Sequence, residues 1–295
     1  MTSVLTPEQR ANFERDGYIL IRGFFDSEEA LLLQSAVDQD PAIRGHFYNR
    51  GDADGLTTKM ATWNHPGDSV YGYAARSHKM VDTMEDLLGG EVYHYHSKIT
   101  AKEPREGGAW EWHQDYGYWY NNGCLFPYMA SAMIALDKCT KSNGCLQVLK
   151  GSHHLGRIDH GLLDGDQVGA DLRRVKEAEK HLELVYCEMD PSDVLFFHCN
   201  TLHRSDQNRS NDRRWTLICC YNAARNNPYL EHHHPCYTPL AKVADTEIMA
   251  AGLKFSSKEH ADAFLTQSVA PANLQKKVGA VFVADDVSTK SETTQ

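Results

Sequence analysis

The residues with the clearest chemical potential are His113-Gln114-Asp115, followed far downstream by His203 and, eleven residues later, by Arg214. Two neutral imidazoles and one carboxylate can hold a divalent iron on one face, leaving the opposite coordination positions open for a cosubstrate and dioxygen. If His113 and Asp115 share a β-strand, their spacing of two sends both side chains to one face. The third ligand must then come from a distant segment. A planar guanidinium beside such a site could grip a carboxylate through two parallel hydrogen bonds.

A bare His-x-Asp is a weak signal. The chain has 16 histidines, enough for roughly one such triplet by chance at ordinary composition. A second copy, His260-Ala261-Asp262, lies in a segment that reads as a short capped helix with no later His or nearby Arg to complete a site, and it is expected to be surface structure. The first copy is different. Trp112, Tyr116, Tyr118, Trp119 and Tyr120 surround it, an aromatic density that suits a strand lining a pocket. Downstream, His198 and His203 both follow an apolar strand and compete for the ligand role. Arg214 favours His203, because it opens a β-rich run that could pair antiparallel with the preceding strand and bring the guanidinium back beside that histidine. His232-His233-His234 also looks metal-like, but consecutive residues cannot all face one ion and Pro235 follows, so a surface loop is expected.

The elements that must position these groups can be followed along the chain. Thr6-Pro7-Glu8-Gln9 starts a helix, residues 17–22 read as a strand, Asp26 caps a second helix through Ala36, and a third runs from Lys79 to Leu88 before Gly89-Gly90. Strands are expected at 92–100, 111–117, 130–136, 145–149, 184–189, 193–198 and 215–222. The fold class is therefore mainly β: a double-stranded β-helix, the jelly-roll or cupin-like core, with flanking N-terminal helices. Residues 1–285 read as a single domain and 286–295 as a flexible tail. On strand 92–100, His94, His96, Lys98 and Thr100 alternate and would share one face. Residues 156–181, charged and rich in Gly and Asp, could order over a substrate as a lid.

Several segments, in order, resemble the phytanoyl-CoA dioxygenase family of Fe(II)/2-oxoglutarate oxygenases. They are Asp16-Gly17-Tyr18, Trp112-His113-Gln114-Asp115, Asn143-Gly144-Cys145-Leu146, Gly151-Ser152-His153, His203-Arg204-Ser205 and Arg214, so about the first 225 residues are covered. The resemblance implies that His113, Asp115 and His203 bind Fe(II) and that Arg214 binds the far carboxylate of 2-oxoglutarate, with Ser205 as a second contact. It also places the strand with Lys98 and Thr100 along the cosubstrate pocket. The implied reaction is hydroxylation of a C–H bond by O2, with release of succinate and CO2. Ectoine hydroxylases carry an acidic and aromatic stretch after the His-x-Asp where this chain reads Tyr116-Gly117-Tyr118-Trp119-Tyr120, which argues against ectoine. Related halogenases replace the carboxylate ligand with a small residue; Asp115 argues against that chemistry.

Substrate recognition is faint in the sequence. Tyr116, Tyr118, Trp119 and Arg225 are candidates: aromatics could cage a quaternary amine, and Arg225 or Lys98 could grip a carboxylate or phosphonate. A net charge of −10 argues against nucleic acid and anionic membranes, and weighs against a coenzyme A thioester. The apolar runs are too short to span a bilayer and the N-terminus has no leader pattern, so a cytoplasmic protein with a small, polar substrate is expected. Eight scattered cysteines without a CxxC pair suggest reduced core thiols. Oligomeric state stays open. The competing reading is a non-redox metal-binding jelly roll, an isomerase or ligand sensor, which would keep three ligands but not need Arg214; a degenerate oxygenase kept as a scaffold is a third.

Overall fold

The computed structural model describes residues 4–163 and 167–265. Its first element shows how local signals set boundaries. Helix α1 (Pro7–Asp16) opens with a reciprocal capping box between Thr6 and Gln9 and closes at Gly17, whose φ of 81° suits glycine. Helix α2 (Ser27–Gln39) has the same device between Asp26 and Glu29. After α2 come α3 (Pro41–Gly45), α4 (Val70–Arg76) and α5 (His78–Leu88), which ends at Gly89 in the left-handed region.

The strands form two antiparallel sheets facing one another. The larger contains β1 (Tyr18–Ile21), β2 (Tyr48–Gly51), β3 (Thr57–Trp63), β4 (Val92–Lys102), β6 (Met129–Ala135), β11 (Val194–His198) and β13 (Arg214–Ala223), in the order β1-β11-β6-β13-β4-β3-β2. The smaller contains β5 (Trp110–His113), β7 (Leu146–Leu149), β10 (Leu184–Cys187) and β12 (His203–Ser205), in the order β10-β7-β12-β5. This is the expected jelly roll with N-terminal helices. Strands β6 and β13 are buried along their whole length, because one face meets the helices and the other meets the second sheet. Alternation divides β13 accordingly: Leu217, Cys219 and Tyr221 join the core under the helices, while Ile218 and Cys220 join the core between the sheets. A hairpin of β8 (His160–Leu162) and β9 (Val168–Ala170) and helix α7 (Leu172–Ala178) follow β7 in the chain. Short helices α8 (Thr246–Ala251) and α9 (Lys258–Asp262) complete the described chain.

Several expectations need correction. The strand expected at 111–117 stops at His113, and Asp115 instead begins a helical turn, α6 (Asp115–Trp119). The Gln114 side chain is the cause: it is fully buried and hydrogen-bonds to Gly156 O, Asn200 O and Ile158 N, pinning the chain to two loops at once. Arg214 does not return along the preceding strand; β13 pairs with β4 and β6, while β11 lies between β1 and β6. On β4, a bulge leaves Tyr95 unopposed: His96 pairs with Cys220 and His94 with Tyr221. The extra residue reverses the alternation. His94 therefore faces Ser97, bonding its Oγ at 2.7 Å on the helix side of the sheet, while His96, Lys98, Thr100 and Lys102 share the inner face. Strands β2 and β3 and helix α4 were not anticipated, since segments such as Tyr-Asn-Arg-Gly carry little β signal and gain order by edge pairing. The tail at 286–295 lies outside the described residues.

Candidate metal centre

Antiparallel pairing assembles the site. Strand β12 pairs with β5 so that His203 lies opposite His113, and the two rings approach with centroids 4.0 Å apart. Both are buried. The Nδ1 atom of His113 lies 2.8 Å from Glu111 O and that of His203 lies 2.9 Å from Thr201 O. A carbonyl can only accept, so each Nδ1 carries the proton and each Nε2 keeps a free lone pair. Burial lowers the pKa of both rings; His203 and Lys98 lower that of His113 further, while for His203 Asp115 opposes burial without reversing it, so both rings favour the neutral form that can ligate.

Asp115 completes the set from the start of α6. Its Oδ2 accepts a hydrogen bond from Ser131 Oγ at 2.8 Å, and its Oδ1 lies 3.9 Å from His203 Nε2. The ligating atoms of His113, Asp115 and His203 all lie within 4.8 Å of one another, and no other such His/Cys/Asp/Glu group occurs among the described residues. Two neutral imidazoles and one oriented carboxylate fit a divalent iron with positions left open.

A cavity runs from these three side chains to Arg214. The Arg214 guanidinium is buried; its Nε and Nη2 donate to Gly144 O at 3.1 and 2.8 Å, and its Nη1 donates to Thr100 Oγ1 at 3.2 Å. Nη1 also reaches Thr216 Oγ1 at 3.5 Å, a hydroxyl that bonds Thr100 Oγ1 at 2.8 Å, so one N–H shared between the two threonines leaves the forked pair, one N–H on each terminal nitrogen, for a carboxylate. Gly144 must be glycine here: its φ is +80°, and a Cβ would lie 2.3 Å from Asp206 O. Thr100, Ser205 and Lys98 also line the cavity. Sequence reasoning missed Lys102, whose buried Nζ donates to Ser205 Oγ at 2.8 Å and to Asp206 O at 2.5 Å. Its position two residues beyond Thr100 on the same strand face was the available signal. Ser131, which orients Asp115 across the gap between the sheets, left no local signal.

The structure does not bring the candidate substrate residues to the cavity. Arg225 donates to Leu88 O and Gly89 O at the C-terminus of α5 and stacks on Tyr128. The ten residues of β13, on the order of 33 Å of extended chain, and the start of a 3-10 turn separate it from Arg214. Tyr116 is buried and donates to Cys124 O; Trp119 packs between Tyr95 and His96. Tyr118 lies behind His113, its ring 5.8 Å away and its hydroxyl on Val168 O. The described parts of 156–181 dock against β5 in the same place: Trp112 Nε1 donates to Glu179, and Gln114 N donates to His160 Nε2. His160 lies so close to Gly117 that a Cβ there would come within 2.2 Å of its ring.

Three other histidines that the sequence offered as candidates have structural partners. His198 Nδ1 accepts from Asn200 N. His260, expected on the surface, is buried with its Nε2 on His65 O. His234 is not a free surface residue either; it stacks on His96 at 4.5 Å and bonds Asn64 Oδ1 at 2.8 Å.

Comparison with known proteins places this geometry in context. The sequence profile of phytanoyl-CoA dioxygenase (PhyH) matches residues 13–216. The L-proline trans-4-hydroxylase of Streptomyces griseoviridis is 31% identical over 199 residues, covering 62% of this chain and 72% of that protein. An ectoine dioxygenase from Sphingopyxis alaskensis is 28% identical over 243 residues, covering 75% of this chain and 77% of that protein. The crystal structure of EctD from S. alaskensis with 2-oxoglutarate and 5-hydroxyectoine superposes with a TM-score of 0.63 at 26% identity, covering 77% of this chain and 79% of that one. SnoK, an alpha ketoglutarate dependent carbocyclase from nogalamycin biosynthesis, shares the fold at 20% identity and a TM-score of 0.61, covering 80% of this chain and 97% of that one.

Proposed function

The chain belongs to the phytanoyl-CoA dioxygenase family, and on that premise we propose that His113, Asp115 and His203 hold its iron and Arg214 the far carboxylate of its cosubstrate. The protein is a non-haem Fe(II)- and 2-oxoglutarate-dependent dioxygenase that hydroxylates a small molecule and releases succinate and CO2. The observation that carries the assignment of roles is the single cavity joining the His113–Asp115–His203 cluster to the guanidinium fork of Arg214. A non-redox barrel would have no use for that fork.

Iron bound with 2-oxoglutarate and dioxygen supplies an oxidant able to take a hydrogen atom from an unactivated C–H bond and return a hydroxyl group. The chain's own residues do the rest. Glu111 O and Thr201 O fix the imidazole tautomers, and Ser131 turns one carboxylate oxygen of Asp115 aside so that the other faces the metal position. Gly144 O and Thr100 hold Arg214 in the plane needed for a carboxylate, and Lys102 holds Ser205 at the cavity wall. Met133, Phe197 and Ile218 close the apolar side and exclude water from the reacting centre.

Relatives that act on ectoine or L-proline support a small polar substrate. No helix among the described residues is long and apolar enough to cross a membrane. Eight free cysteines, seven of them buried, suit a reducing compartment, and we place the protein in the cytoplasm as a single domain over residues 1–285. Anaerobic addition of Fe(II) and then 2-oxoglutarate tests the assignment. A weak visible charge-transfer band should appear only when both are present; metal binding without the band would refute it.

A further inference from the structure

The cavity wall is unusually cationic for a chain of net charge −10. Lys98, Lys102, Arg204 and Arg214 line it, against one carboxylate, Asp115. We infer that the substrate carries an anionic group, a carboxylate or an oxyanion of phosphorus, and that Lys98 is the cation it pairs with. This rests on the reading of the site as an iron and 2-oxoglutarate centre.

The four cations differ in their commitments. Arg214 faces the cosubstrate position. Lys102 is bound to Ser205 Oγ and Asp206 O, and burial beside Arg214 pushes its pKa well down. Arg204 stacks on Trp112 at 4.8 Å and donates its Nε to Gln147 Oε1. Lys98 alone has an ammonium with no hydrogen-bond partner among the described residues, though protein surrounds it and its remaining accessible surface faces the cavity. Burial pulls its pKa down, while Asp115, Cys220 and Tyr48 together raise it.

Charge balance follows from these groups. The two charges of Fe(II) cancel the two of 2-oxoglutarate, whose carboxylates are committed to Arg214 and to the metal. Asp115 offsets one of the remaining cations. Even with Lys102 left out of the count, at least one positive charge remains beside the metal, and an unpaired charge in an enclosed site is costly. An anionic substrate removes that cost on entry. A cationic one would add to it, because the cavity wall offers no second carboxylate. Lys98 lies on the same strand face as Lys102, four residues away or about 14 Å along β4, while Lys102 is the register partner of Arg214. The two ends of the cavity therefore present separate cations.

The test uses the anaerobic Fe(II) and 2-oxoglutarate complex of the full chain, titrated with acetate, methylphosphonate, acetamide and methylammonium while the visible band is followed. Acetate or methylphosphonate should shift the band saturably, the stronger of the two identifying the oxyanion, and acetamide and methylammonium should not. Lys98→Met should raise the half-saturation for that anion roughly tenfold, as expected for loss of one charge-assisted hydrogen bond, beyond any change for 2-oxoglutarate. Lys98→Arg should recover most of the loss. Saturable binding of methylammonium or acetamide, no response to either anion, or a Lys98→Met defect confined to 2-oxoglutarate would overturn the proposal. Absence of the band in the unmodified protein would instead refute the iron and 2-oxoglutarate reading.

Discussion

Replacing Arg214 with methionine isolates the group that distinguishes this cavity from a plain metal site. The arginine can offer two N–H groups to a carboxylate when its other three hold Gly144 O and the paired hydroxyls of Thr100 and Thr216. Two hydrogen bonds to a carboxylate at about 1.5–3 kcal/mol each give roughly 3–6 kcal/mol, or a hundredfold or greater loss of 2-oxoglutarate affinity. The protein itself should tolerate the change. Methionine fills similar volume, and removing a buried cation offsets the lost bonds to Gly144 and Thr100. Anaerobic titration of the charge-transfer band reads the effect, with 2-oxopentanoate, which lacks the far carboxylate, as the control ligand. The unmodified protein should prefer 2-oxoglutarate strongly, and in Arg214→Met that preference should collapse with metal affinity unchanged. A variant that still prefers 2-oxoglutarate would refute the assignment of Arg214.

Three further outcomes are expected. Ser131→Ala removes the donor that orients Asp115, so Fe(II) affinity, read by titration, should fall roughly tenfold to a hundredfold. Gly144→Ala puts a side chain at φ +80° against Asp206 O; it should cost more than about 1 kcal/mol in denaturant midpoint and also weaken 2-oxoglutarate binding, because Gly144 O anchors Arg214. Burial lowers His94 to about 3 and His160 and His198 to about 4, against 6.5 for an ordinary histidine. The unfolded chain therefore takes up protons near pH 6.5 that the folded chain refuses until about pH 4. Stability is full above that window and lost as pH falls through it, with a slope approaching about 4 kcal/mol per pH unit for the three together. Metal-free protein followed by circular dichroism between pH 7 and 4 would check this.

The parts of this molecule that were legible in its sequence are those set by local pattern. Capping at Thr6 and Asp26, the long apolar runs of β6, β11 and β13, and a His-x-Asp amid aromatics each carry their own signal. The cosubstrate end was readable too, because alternation carries the face of Lys98 and Thr100 onward along β4. What was not legible depends on contacts between distant segments. The bulge at Tyr95 turns His94 away from the cavity, and Gln114 ends β5 through bonds to Gly156, Ile158 and Asn200. Arg225 looked available because its partners, the last carbonyls of α5, precede it by more than 130 residues. Ser131 and Lys102 acquire their roles only when the two sheets face each other.

If this site couples 2-oxoglutarate to dioxygen at His113, Asp115 and His203, the succinate it releases must carry an oxygen atom from O2. Incubating the Fe(II)-loaded protein with 2-oxoglutarate under 18O2 and analysing the succinate by mass spectrometry tests it directly. One 18O atom is expected in each succinate, and no succinate from Asp115→Ala. Unlabelled succinate, or none despite bound iron, would contradict that coupling.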